Sequence, residues 1–217
     1  ANSRKVTSNQ QHLHPRLAEV VRRHLDSPHR APIPAHSRQA YDILRERLQC
    51  SDVPLVLDSF CGTGHSTRAL AEKHPGHLVV GIDRSAHRLA KHPDEPGDNY
   101  LLLRARCEDI WTLLAGAGVR VAHHYLLYPN PWPKSAQLGR RVHGHPAFTA
   151  LLQLGGCVAL RSNWKVYVEE FGVAMHLAGR RGVVGKVPEA DPPLTLFEHK
   201  YRSSGHDLWS YQACIMP

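Results

Sequence analysis

Along the chain, short apolar runs alternate with stretches whose apolar residues recur every three or four positions, the two patterns that mark buried strands and amphipathic helices. Runs at 55–60, 78–82, 100–104 and 121–127 read as strands, and 66–74, 85–91 and 108–115 between them read as helices. Strand and helix in strict alternation predict parallel strands joined by right-handed crossovers. Further on, 146–154 reads as a helix ended by Gly155 and Gly156, 157–161 as a strand and 164–177 as a helix. The stretches 195–201 and 208–214 are expected to be two strands, paired antiparallel through Ser203, Ser204 and Gly205. In the first of these, Thr195, Phe197, His199 and Tyr201 would share one face, with Glu198 and Lys200 on the other.

Before the first strand the pattern is different. Residues 1–12 are polar and 13–25 have helical spacing with Arg16, Arg22 and Arg23 on the helix, either a solvated face or a nucleic-acid arm. Residues 27–35 carry Pro28, Pro32 and Pro34 and read as a linker, because closely spaced prolines remove donors and restrict the residues before them. A helix at 37–49 then leads to the first strand. The expectation is a flexible or partly helical arm at 1–35 and a single α/β domain at 36–217. Pro93 and Pro96, beside Gly97, are expected to stop the helix at 85–91.

Composition adds a size, a sign and a compartment. With 217 residues of which 42% are hydrophobic, one substantial core is the simplest arrangement. The formal charge of +8 calls for an anionic partner, such as nucleic acid, or only a basic surface. Aromatic residues make up 7%, too few to favour a stacking platform for single strands. Five scattered cysteines, with no secretory segment and no membrane-length apolar run, favour a reduced, cytoplasmic setting away from membranes. No CxxC pair is present, so no metal site is expected in spite of 17 histidines.

The candidate chemistry sits at strand ends. Gly62 and Gly64 follow the first strand, where backbone must bend or approach a ligand closely. The third glycine of a dinucleotide fingerprint and the lysine of a phosphate loop are both missing, so a generic packing turn fits as well. Asp83 ends the second strand, about twenty residues on, where an acid can accept hydrogen bonds from both hydroxyls of a ribose. Asp109, after the third strand, could accept an adenine amino group, or it or Glu108 could cap a helix. After the fourth strand, Pro129, Pro131 and Pro133 hold Asn130 and Trp132 in a narrow conformational range, and Lys134, Arg140, Arg141 and His143 form a basic run suited to phosphate. At the next mouth position Asn163 either orients a base edge or begins a helix, and Thr195 with Glu198 could hold a base.

Taken together these motifs resemble the transfer-RNA guanine-7-methyltransferase family of class I S-adenosylmethionine-dependent methyltransferases. The resemblance rests on Leu57-Asp58-Ser59-Phe60-Cys61-Gly62-Thr63-Gly64, Gly81-Ile82-Asp83, Tyr128-Pro129-Asn130-Pro131-Trp132-Pro133-Lys134 and Thr195-Leu196-Phe197-Glu198. The glycine loop marks only the broad cofactor class, whereas the proline-tryptophan loop followed by Thr-x-Phe-Glu is narrower. The resemblance implies a Rossmann-like sheet, mostly parallel with a C-terminal antiparallel strand. It implies S-adenosylmethionine near Asp58, Gly62, Gly64, Asp83, Asp109 and Asn130, and transfer RNA near Lys134, Arg140, Arg141, Asn163, Thr195 and Glu198. It places Asn130, Asn163 and Glu198 at the reaction and leaves a protein partner or homodimer open. The family usually has aspartate where this chain has Asn130 and Asn163, and an amide cannot carry the same charge or act as an ordinary general base. Two other readings are kept: methyl transfer to another RNA base or an exocyclic amine, from the partial Asn130-Pro131-Trp132 likeness, and a catalytically weak RNA-binding homologue.

Overall fold

The computed structural model describes residues 3–27, 29–93 and 97–215. Pro28 and Pro96, expected to punctuate the linker and a helix end, lie outside the described residues. The strands are β1 (Leu55–Ser59), β2 (Leu78–Asp83), β3 (Tyr100–Arg104), β4 (His123–Leu127), β5 (Gly156–Ser162), β6 (Val183–Lys186) and β7 (Trp209–Ile215). They form one sheet in the order β3-β2-β1-β4-β5-β7-β6, in which the first five pair in parallel and β7 runs antiparallel between β5 and β6. β1 and β2 are buried at every position, as expected for central parallel strands covered on both faces.

Because neighbouring residues of a strand point to opposite faces, β1 feeds two cores. Leu55 and Leu57 join a large cluster with Trp111, Phe148 and Phe171, whereas Val56 joins a smaller one with Leu70, Val79 and Tyr125. The large core lies under α1 (Leu17–Leu25), α2 (Ala35–Gln49), α5 (Cys107–Gly116), α6 (Phe148–Leu154) and α7 (Lys165–Leu177). The smaller core lies under α3 (His65–Lys73), which with α4 (Ala86–Leu89) connects the early strands.

Several sequence expectations are corrected. Residues 195–201 are not a strand: they belong to α8 (Leu196–Ser203), and the Thr195 hydroxyl accepts from the Glu198 amide at 2.9 Å as the N-cap. Threonine with glutamate three residues later is a helix-start signature, and the apparent two-residue period came from apolar residues that are exposed, Leu196 and Phe197. The antiparallel partners of β7 are therefore β5 and β6, not 195–201. β6 was not foreseen, being four residues long, at the sheet edge, exposed at Val183 and interrupted by Gly185. The antiparallel register also sets Cys157 opposite Cys214, and the two form a disulfide, against the expectation of five reduced cysteines. The amino-terminal segment packs on the domain: Leu17, Val20 and Val21 are buried, and the Ser8 hydroxyl donates to the Pro133 carbonyl at 2.5 Å.

Candidate active site

The turn after β1 bends through left-handed backbone at Phe60 (φ 65°), Gly62 (φ 62°) and Gly64 (φ 79°). Gly64 is the N-cap of α3, and a Cβ there would sit 2.7 Å from Leu102. A Cβ on Gly81 would lie 2.2 Å from the Thr67 hydroxyl, so glycine lets α3 settle directly on β2. Asp58 is fully buried beneath the turn, and its Oδ2 accepts from Ser66 at 2.6 Å and Thr67 at 2.7 Å while Oδ1 has no hydrogen-bond partner. Burial pushes its carboxyl up to about 6 against the pull of the two hydroxyls. Asp58 thus ties β1 to the first turn of α3 and holds the loop from below.

At the carboxyl ends of β1 to β4 opens a cavity of about 640 Å³. Phe60, Asp83, Asp109, Tyr128, Asn130 and Arg140 are among its walls, so the sheet brings four of the sequence candidates to one space. Asp58, Gly62, Gly64, Lys134, Arg141, Asn163, Thr195 and Glu198 do not line it. Asp83 accepts from the Gly62 amide at 3.0 Å through Oδ2, and from the Ser85 amide at 2.8 Å and Arg88 at 2.9 Å through Oδ1. Asp109 is gripped by both ends of the Arg106 fork, at 2.8 and 2.9 Å. Both acids are buried while both arginines are about half exposed, so a ligand hydroxyl could donate to these carboxylates where a guanidinium moves out into water. Arg88 and Arg106 were not singled out in the sequence; basic residues five after Asp83 and three before Asp109 were the available signal. Neither Glu108 nor Asp109 caps α5, whose N-cap is Arg106; both lie in its first turn.

The opposite wall is the loop after β4. Tyr128 (φ 55°) and Trp132 (φ 46°) both adopt left-handed backbone, a strain of about 1–3 kcal/mol each that the surrounding structure must hold. Asn130 is exposed and its Oδ1 accepts from the Trp132 amide at 3.3 Å, so the side chain is fixed by its own turn. Arg140 lies over the Trp132 ring at 4.9 Å. Lys134 and Arg140 are exposed.

Arg141, expected on the phosphate surface, is instead fully buried. It donates to Glu170 Oε2 at 2.6 Å, to Gln10 Oε1 at 3.0 Å, and to the carbonyls of Trp132 and Lys134 at 3.2 and 3.3 Å. Glu170 also accepts from Gln10 at 2.5 Å, the His14 amide at 2.8 Å and His143 at 2.8 Å. Burial alone would raise the Glu170 carboxyl, but hydrogen bonds and charges from His143 and Arg141 prevail and hold it at about 2. This network bolts the strained loop and the amino-terminal segment to α7. His143 takes part from a buried position rather than on a basic surface.

Glu198 is likewise fully buried, with Oε1 between Arg161 at 2.8 Å and Arg202 at 2.9 Å and Oε2 accepting from the Leu194 amide at 3.3 Å. Burial, and after it the charge of Glu198, raises the Tyr128 phenol, whose oxygen has no hydrogen-bond partner. Asn163 is half-buried beside His206, 3.4 Å away, and the His206 ring stacks on Tyr201. Phe197, next to Glu198 and about half exposed, does reach the cavity and was not singled out in the sequence as a site residue.

Residues 52–211 match a family model described as a putative methyltransferase. Relatives named tRNA (guanine-N(7)-)-methyltransferase include one from Nitrosococcus oceani, 28% identical over 71% of this chain and 68% of that one. Another, from Klebsiella pneumoniae subsp. pneumoniae, is 29% identical over 73% of this chain and 71% of that one. Among solved structures, the 16S rRNA methyltransferase KamB superposes with a TM-score of 0.61 at 20% identity, over 81% of this chain and 94% of that one, a likeness of fold. The model match, the strand order and the cavity at the strand ends agree: the chain belongs to this putative methyltransferase family, on the class I S-adenosylmethionine-dependent methyltransferase fold.

Proposed function

We propose that this protein transfers a methyl group from S-adenosylmethionine to N7 of a guanosine in transfer RNA. The observation that carries the reading is a single cavity with Asp83 and Asp109 on one wall and the strained loop of Asn130 and Trp132 on the other. The names of the relatives support the choice of transfer RNA as substrate.

The residues present fit the methyl donor. The cavity is in the size range of small-molecule sites, and two buried carboxylates stand at the strand ends where a ribose and an adenine need acceptors. Asp83 would take the ribose hydroxyls and Asp109 the adenine side, and the turn of Gly62 and Gly64, held from below by Asp58, would bring Phe60 to the cavity wall beside them. Bound there, S-adenosylmethionine would supply a methyl on a sulfonium: the N7 lone pair of neutral guanine could take it as the sulfur–methyl bond breaks and S-adenosylhomocysteine leaves, with no prior loss of a proton.

A general base is therefore not required, and amides at Asn130 and Asn163 are compatible with turnover. The chain's part is alignment and charge: Asn130, fixed by its turn, orients the base edge between donor and acceptor. Lys134 and Arg140, exposed beside the cavity mouth, hold RNA phosphate. Asn163, Thr195 and Glu198 support the far side of the base, the last two by fixing α8 so that Phe197 covers the opening. Arg141 acts behind the loop, not on RNA. A transfer-RNA substrate would place the protein in the cytoplasm.

The test is incubation of the purified chain with labelled methyl donor and a mixed transfer-RNA pool, followed by nucleoside and position mapping. 7-Methylguanosine is the expected product. A methylated adenine or exocyclic amine would replace the N7 assignment, and tight RNA binding with no donor-derived product would replace catalysis by a binding role.

A further inference from the structure

At the end of the sheet opposite the cavity, three histidines from two separate segments converge. His74 is the C-cap of α3, His77 follows it across a turn closed by the His77 amide donating to the His74 carbonyl at 3.0 Å, and His123 opens β4. Their candidate donor nitrogens all lie within 4.8 Å of one another, and all three side chains are half-buried. The ring centroids of His74 lie 5.2 Å from His77 and 4.5 Å from His123. We propose that His74, His77 and His123 form a binding site for a zinc-like divalent transition-metal ion, which clips the α3–β2 turn to the start of β4.

Beyond proximity, two features point to a ligand. The Nδ1 of His77 is buried without a hydrogen-bond partner, an arrangement that costs free energy unless something occupies it. The Nε2 of His74 is paired with the Tyr125 phenol at 2.8 Å, which fixes the ring and leaves its other nitrogen for a metal, the outer contact that metal-bound histidines ordinarily make. Tyr125 is two residues from His123 on the same face of β4, so one strand supplies both a ligand and the support for another.

Three imidazoles select a borderline cation such as zinc over magnesium or calcium, which take oxygen ligands. Zinc–nitrogen bonds of about 2.0–2.1 Å in a tetrahedron put ligand nitrogens roughly 3.4 Å apart, so the rings must close slightly, by side-chain rotation in a turn and at a strand end. Lys73 is exposed and can move its ammonium away from the site. A fourth position would be left for water. Nothing along the chain singles the site out, since the pattern there is only His-x-x-His with a third histidine 46 positions further on.

The test uses the full chain after chelator treatment, titrated with zinc by calorimetry and with cobalt(II) as a spectroscopic probe. Expected are one equivalent of tight binding, intense visible cobalt bands of a four-coordinate nitrogen site, and a melting midpoint raised about 5–10 °C at a hundredfold excess over Kd. His77→Ala should weaken zinc at least about tenfold with circular dichroism unchanged, while His176→Ala, on an exposed helix end, should not. If His77→Ala fails to fold, the cobalt spectrum of the native chain decides. Absence of those bands, or zinc affinity equal in native and His77→Ala chains, overturns the proposal. Loss of metal binding leaves the cavity intact, so this outcome is independent of methyl transfer.

Discussion

Replacing Glu170 by Gln probes the bolt behind the mouth loop. The carboxylate is fully buried and collects donors from Gln10, His14, Arg141 and His143. An amide of the same shape substitutes a donor for one acceptor oxygen and leaves the buried Arg141 guanidinium without a counter-charge. Breaking one partner of a buried pair costs about 3–5 kcal/mol. The titration of the group agrees: a carboxyl held at about 2 in the folded chain, and near ~4.3 unfolded, contributes about 3 kcal/mol. Its folded value is depressed, so that contribution is full above pH ~4.3 and is lost as pH falls towards about 2. For a chain of this length the variant should melt roughly 6–20 °C lower at neutral pH, and its stability should fall less steeply below pH ~4.3. The assay is thermal unfolding by circular dichroism across pH. A shift under about 2 °C at neutral pH would refute the bolt. Replacing Arg141 by Met in the Glu170→Gln background should recover part of the loss, because it removes the stranded charge while the amide at 170 can still accept from Gln10, His14 and His143.

Asp83→Ala should weaken donor affinity at least about tenfold by calorimetry, since it removes the acceptor that also holds the Gly62 amide; unchanged affinity would reject its role. Arg140→Ala should raise the transfer-RNA KM several-fold and leave donor Kd alone, and a change in donor Kd instead would relocate that residue. Asn130→Asp places a carboxylate at the cavity wall: faster 7-methylguanosine formation is expected in single-turnover assays, and no change would show that the missing carboxylate does not limit the reaction. His124 is fully buried, its Nε2 is hydrogen-bonded with the Ser59 hydroxyl at 2.8 Å, and burial pushes it down to about 3. Its folded value is depressed, so its stabilisation is full above pH ~6.5 and declines as pH falls towards about 3; ring NMR should show a neutral imidazole at pH ~5, and a midpoint near ~6.5 would contradict the burial.

The sequence alone determined the parallel half of the sheet, because apolar runs, crossover helices and the glycine turn are local patterns that each strand and turn must carry. It also determined that Asp83, Asp109, Asn130 and Arg140 share a cavity, since parallel topology sends every strand's carboxyl end to the same side. What Arg141 and Glu198 do was decided only by tertiary structure: Arg141, suited to phosphate in one dimension, is taken up by Glu170, and Glu198, suited to a base edge, is taken up by Arg161 and Arg202 once the chain closes over them. The same holds for His74, His77 and His123 and for Cys157 with Cys214. Their meeting depends on strand register and loop path, and no spacing along the chain encodes which distant segment a side chain will face.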